Sequence, residues 1–192
     1  MPPNVRITRE DILDAAFRLV RREGESALTV RRIAGELGCS TQPVLYQFQS
    51  IREIRQEVYT AADAFQSHFL LAGTGEDPLL SIGMQYIRFA REERNLFRFL
   101  FQSNEFDGQD LDALIGNPDL NGILGAVAAG TGTDIPGAKR IFKSLFIAAH
   151  GYASLLANNA MPFREEEAAE ILENMFIGAV SAGRGEGHEE NL

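Results

Sequence analysis

Residues 29–48 read TVRRIAGELGCSTQPVLYQF, and this stretch decides the fold. Thr29 is placed as a helix N-cap, and Val30, Ile33, Ala34 and Leu37 then recur at i, i+3, i+4 and i+7, the spacing of a helix with one apolar face. Gly38 ends that helix, and a second short one begins near Thr41. Small Ala34 lets the second helix come close, Gly38 suits a left-handed turn position, and Ile33, Leu37, Val44 and Phe48 are placed to bury between the two. The spacing predicts a helix-turn-helix, and taken alone it fits a plain structural hairpin as well.

The second helix separates these readings. At about 100° per residue, Val44, Leu45 and Phe48 share one side, and Gln42, Pro43, Tyr46 and Gln47 share the other. Amides, a phenol and a proline ring suit base edges: glutamine pairs bidentately with adenine, tyrosine reaches a phosphate oxygen, and the proline ring touches a thymine methyl. Pro43 is tolerated because it lies in the first turn, where backbone N–H groups lack intrahelical partners. The candidate DNA contacts are therefore Ser40, Thr41, Gln42, Pro43, Tyr46 and Gln47. Thr29 and Thr41 join them as cap hydroxyls beside N–H groups that favour phosphate. No charged residue occurs between Cys39 and Ile51, so phosphate clamping falls to flanking arginines: Arg31 and Arg32, Arg6 and Arg9, and Arg52. Each is equally readable as a solvated surface charge.

Working outward, residues 8–23 open with Thr8 as N-cap and Asp11 three positions on, a variant capping box, followed by the stripe Ile12, Ala15, Ala16 and Leu19 and a stop at Gly24. Ser50 with Glu53 caps a further helix through about residue 72. Residues 8–60 resemble the N-terminal domain of the TetR family of transcriptional regulators, on the order and spacing of ITREDILDAAFRLVRREG, LTVRRIAGELGCSTQPVLYQF and SIREI. The later segment FKSLFIAAHGYASLLANNAM is similar to the penultimate helix of a TetR subgroup. One departure bears on register: the family commonly has Leu-Tyr, one spacer residue, then His-Phe, whereas here Gln47-Phe48 follow Leu45-Tyr46 directly. The resemblance implies a homodimer that binds a palindromic double-stranded DNA operator, acts as a repressor, and is released by a small-molecule effector bound in the C-terminal domain. The alternative is a helical ligand-binding or interaction protein whose helix-turn-helix is only structural.

The rest of the chain is expected to be all-α, with helices near 78–92, 94–104, 118–129, 135–160 and 164–182, and with partial loop in the Gly- and Asp-rich window 107–133. The expected domains are 1–50 for DNA binding, 51–183 for effector binding and dimerisation, and a disordered tail over 184–192. Seven of the thirteen phenylalanines fall between Phe65 and Phe106, a density that reads either as an aromatic core or as a ring-lined pocket for an apolar or aromatic effector. Tyr86, Phe89, Phe97, Phe101, His150 and Asn158 are the candidate ligand contacts. The helix near 135–160, with Ala148, Ala149, Gly151 and Ala153, and the last helix, with Ile171, Met175, Ile177 and Val180, suit a dimer-forming bundle.

Charge completes the reading. The whole chain carries a formal net charge of -9, which should repel nucleic acid. Yet residues 1–60 hold nine arginines against eight acidic residues, while residues 61–192 hold nine basic against nineteen acidic ones. The deficit thus lies outside the DNA-binding third. A lone Cys39 excludes an intramolecular disulfide framework and a cysteine-based metal cluster, and suits a reducing cytoplasm. MPPNVRITREDI has no apolar run of the signal-peptide kind, and no window approaches the ~18 apolar residues of a membrane helix. There is no GxSxG, GxGxxG or P-loop, and His68, His150 and His188 have no metal-ligand spacing, so neither an enzyme nor a cofactor or metal site is expected.

Overall fold

A computed structural model of the chain describes residues 7–73, 77–102, 110–115, 120–159 and 161–186. Among them the secondary structure is all-α, as the apolar spacing predicts. Helices α1 (Arg9–Glu23), α2 (Val30–Glu36), α3 (Thr41–Gln47) and α4 (Ile51–Leu71) are followed by α5 (Pro78–Glu92), α6 (Arg94–Phe101), α7 (Leu111–Ile115), α8 (Asn121–Thr131), α9 (Ile135–Asn159) and α10 (Glu165–Glu186). A 3-10 turn spans Glu25–Ala27. Two compact units divide the chain, Met1–His68 with Glu93–Glu105, and Phe69–Glu92 with Phe106–Leu192.

In the first unit local chemistry starts and stops the helices. Thr8 Oγ1 accepts from the Asp11 backbone N–H at 3.1 Å and Asp11 Oδ2 accepts from the Thr8 N–H at 2.8 Å, so two of the orphan donors at the start of α1 are satisfied reciprocally. Thr29 accepts from the Arg32 N–H at the start of α2. The α2–α3 turn is a Schellman closure: Cys39 N–H donates to Ala34 C=O at 3.0 Å, Gly38 N–H donates to Gly35 C=O at 3.2 Å, and Gly38 takes φ +64. That closure places α3 so that Val44 and Phe48 bury with Ile33, Ala34, Ile12, Ala16 and Leu19. Phe48 is almost wholly buried, and truncating a ring of this kind costs about 3–5 kcal/mol.

The first unit reaches beyond the expected break at residue 50, because α4 and α6 are tied to the helices before them. Arg55 of α4 pairs with Glu25, and Tyr59 stacks edge-on against Phe99 with ring centroids 5.9 Å apart. Phe17 of α1 meets Phe65 of α4 in the same way at 5.8 Å. At α6, Arg21 of α1 binds Glu93, and Asn95 Nδ2 donates to Arg21 C=O at 3.1 Å. Leu96, Phe97, Phe99 and Leu100 are all buried there.

In the second unit α9 packs on α5, α8 and α10. Asp77 caps α5, its Oδ1 accepting from the N–H groups of Leu79 and Leu80 at 2.9 and 3.1 Å. The core is built from Ile87, Phe89 and Ala90 of α5, Ile141, Leu145, Ala149, Ala153 and Leu156 of α9, and Ala168 and Leu172 of α10. Three boundaries differ from expectation. The helix expected to end near residue 104 stops at Phe101, the one expected over 118–129 runs Asn121–Thr131, and α7 was not foreseen. The expected tail from residue 184 is still helical to Glu186, and residues 187–192 lie outside the described residues, as do 103–109 and 116–119.

Candidate nucleic-acid interface

The α3 surface carries the residues read as DNA contacts. Tyr46 is 84% exposed, and Thr41 and Gln42 are exposed beside it, with Pro43 partly covered at the edge of the same face. The departure after Leu45-Tyr46 does not turn Tyr46 inward. Ser40 is the N-cap residue, with no side-chain cap hydrogen bond, and Thr41 is the first helical residue rather than the cap. Thr29 is exposed at the start of α2, its hydroxyl engaged in capping.

Two expectations are corrected. Leu45 is expected on the buried side, yet it is 56% exposed: Val44 and Phe48 are the residues buried here, and Leu45 lies on the arc between the exposed Thr41 and Gln42. Gln47 was placed on the outward face, yet its Nε2 turns back to donate to Ile7 C=O at 3.4 Å and it is only partly exposed.

The flanking arginines divide into two groups. Arg9 is a structural clamp: its guanidinium donates to Gln47 C=O at 2.8 Å and to Glu53 at 2.7 Å, pairs with Glu57, and lies 3.9 Å above the Phe48 ring centroid. The last turn of α3 is thereby fixed to α1 and α4. The bound guanidinium, with the Gln49 N–H, holds the Glu53 carboxyl below the usual carboxylate range. Arg32 is held by Glu23, and Arg22 by both Glu23 and Glu36, so the pKa values of these two carboxyls are lowered in turn. Arg31 and Arg52 are exposed, and among the described residues neither has an ion pair or hydrogen bond. Arg6 lies outside the described residues. Arg9, Arg21, Arg22, Arg32 and Arg55, five of the nine arginines of residues 1–60, are thus poor candidates for phosphate, since a cation already paired with a carboxylate releases little DNA counterion.

The six expected ligand contacts do not form one site. Tyr86 Oη and His150 Nδ1 lie 2.8 Å apart in the second unit, with Phe146 stacked on the imidazole at a centroid distance of 5.7 Å, and burial pushes the His150 pKa down. Phe89 is fully buried against Phe69, and Asn158 is exposed near the end of α9. Phe97 and Phe101 belong to the first unit, where their rings meet at 5.0 Å. The second unit does hold a cavity of about 390 Å3, lined by Leu79 and Ile82 of α5, Ile123, Ala126 and Val127 of α8, and Phe176 of α10, and by none of the six. It exists because Gly122, Ala126 and Gly130 put little or no side chain on one face of α8.

A short helix pair closed by a left-handed glycine, with its second helix presenting an uncharged polar face to solvent, defines a helix-turn-helix DNA-binding protein. The family comparison gives the finer class. Residues 12–58 match the model for bacterial regulatory proteins of the tetR family, and residues 79–177 match the tetracyclin repressor-like C-terminal domain. The chain belongs to the TetR family and is a DNA-binding transcription regulator. No curated protein matches the chain.

Proposed function

We propose that the protein is a repressor that binds a palindromic operator as a homodimer and leaves it when a small molecule occupies the second unit. The observation that carries this reading is the solvent-facing, uncharged surface of α3 at Gln42 and Tyr46, flanked by the unpaired Arg31 and Arg52. Bases are read by the former and phosphates held by the latter.

Dimerisation is supported by apolar side chains left open on the two last helices. Ile147 and Leu155 of α9 are 53% and 49% exposed, and Ile177 of α10 is 61% exposed. Gly151 stands between the first two, so a second copy can approach that stretch of α9 closely. The effector is an apolar or aromatic molecule, a reading supported by a cavity of about 390 Å3 with a mostly apolar lining, in the size range of small-molecule sites. Release is a population shift: only a separation of the two recognition helices near ~34–36 Å lets both enter successive major grooves, and ligand favours another separation. No helix among the described residues is long and apolar enough to cross a membrane. The proposed home is the cytoplasm, with no catalytic role.

A mobility-shift titration on the DNA upstream of the protein's own coding sequence tests the reading. Specific binding should weaken as salt rises, with several counterions released. The double change Gln42→Ala and Tyr46→Ala should abolish specificity while leaving the helical circular-dichroism spectrum intact. Unchanged affinity in the double variant refutes the assignment. Ile147→Glu with Ile177→Glu should yield a monomer by sedimentation that no longer holds the operator.

A further inference from the structure

We infer that the operator presents thymine to Leu45, so that each half-site under α3 is read through adenine edges and thymine methyl groups rather than guanine. The inference rests on the regulator reading above and specifies its target.

Its starting point is the correction at Leu45. Among the described residues Leu45 and Tyr46 are the two most exposed large apolar or aromatic side chains of the first unit, adjacent on one seven-residue helix. At about 100° per residue, Leu45 lies between Thr41 and Gln42, on the face that meets the groove if Gln42 does. The major groove floor offers a side chain one apolar projection, the C5-methyl of thymine. A leucine facing any other base edge would strip water from polar atoms and return no hydrogen bond.

The rest of the helix agrees. Guanine is most often read by the forked donors of arginine or by lysine at O6 and N7, and α3 has neither. Gln42 carries one amide, whose donor and acceptor match adenine N6 and N7 together. Thr41 adds a methyl and a hydroxyl on the same side. Arg9, which is bound to α3, is held against Gln47 C=O, Phe48, Glu53 and Glu57, so its guanidinium is already engaged.

The test is selection from random duplexes with the full-length protein, followed by base-analogue titration of the enriched duplex. The expected product is an inverted repeat with A·T pairs at the positions whose preference changes in Gln42→Ala. Uracil in place of the thymine that faces Leu45 in one half-site should weaken binding about fourfold, the worth of one buried methyl group. With cytosine at that position, 5-methylation should restore a similar factor. Leu45→Ala should erase both differences and change the melting temperature by no more than a few degrees, because more than half of the residue is open to solvent. Enrichment of G·C pairs across the α3 positions, or a Leu45→Ala protein that still prefers thymine to uracil, overturns the inference and leaves the regulator reading standing. Enrichment of no sequence at all overturns both.

Discussion

One methyl group added at Gly38 should destabilise the protein, and the same methyl added three residues earlier, at Gly35, should stabilise it. Neither addition meets an obstacle, since nothing beyond the adjoining backbone lies within 4 Å of a Cβ built at either position. The difference is backbone conformation alone. Gly38 has φ +64, where an L side chain costs about 1–2 kcal/mol. Gly35 lies in the last turn of α2, where alanine gains about 0.5–1 kcal/mol over glycine by restricting the unfolded chain. The two variants should therefore differ by roughly 1.5–3 kcal/mol. For a chain of this length about 2–4 °C accompanies each kcal/mol, so their melting midpoints should stand roughly 3–12 °C apart, with the wild type between them. Scanning calorimetry or circular-dichroism melting reads this directly. Midpoints that move together, or a Gly38→Ala protein more stable than wild type, would refute the Schellman closure as the device that sets α3.

The same structure leads to three further expected outcomes. Arg31→Ala and Arg52→Ala should each lower operator affinity and reduce the salt slope by about 2, one for each subunit of the dimer, whereas Arg9→Met should lower affinity with the slope unchanged, because it positions α3 and touches no phosphate; fluorescence anisotropy across a salt series distinguishes these. The pKa of His150 is lowered by burial, so the neutral imidazole is favoured in the folded state, and the stability it supports is present above about pH 6.5 and declines as pH falls below it. A proton-NMR titration should put its midpoint below that of an exposed histidine, and a midpoint at or above it would contradict the Tyr86–Phe146 enclosure. Gln66→Leu should raise stability by about 1 kcal/mol in urea unfolding, because the Nε2 of this buried residue has no hydrogen-bond partner among the described residues and an unsatisfied donor costs about 1–3 kcal/mol.

Local signals carried most of the fold. The Thr8–Asp11 box, the Thr29 and Ser50 caps, the Gly24 and Gly38 stops and the α1 stripe are all short-range, and each is where the chain alone places it. Side-chain direction at the rim of a helix was less legible. Leu45 reads as core because it is apolar, but burial depends on how far neighbours cover that arc, and more than half of the residue stays open. Gln47 looked like a base reader because it is polar, but a backbone carbonyl 40 positions away claims its amide. The same limit applies to the aromatics. Nothing within NLFRFLF shows that Asn95 will bind the end of α1, a contact 74 positions distant, so Phe97 and Phe101 were grouped with Tyr86 by sequence proximity. The α8 cavity was written as Gly122, Ala126 and Gly130 at i, i+4 and i+8, but glycine richness there reads as loop before it reads as a missing wall.

The return of α6 to the first unit has a consequence for modular engineering. The DNA-binding half is discontinuous in sequence, built from residues up to His68 and completed by Glu93–Glu105. A fragment cut after α4 would leave the surface that receives Leu96 and Phe97 bare and would strip Glu93 and Asn95 from Arg21. Such a fragment should self-associate rather than act as a portable DNA reader. Chimaeras that graft this reader onto a foreign sensor therefore need two splice points, and the loop replacing α5 must bring its ends back to where α4 leaves and α6 enters.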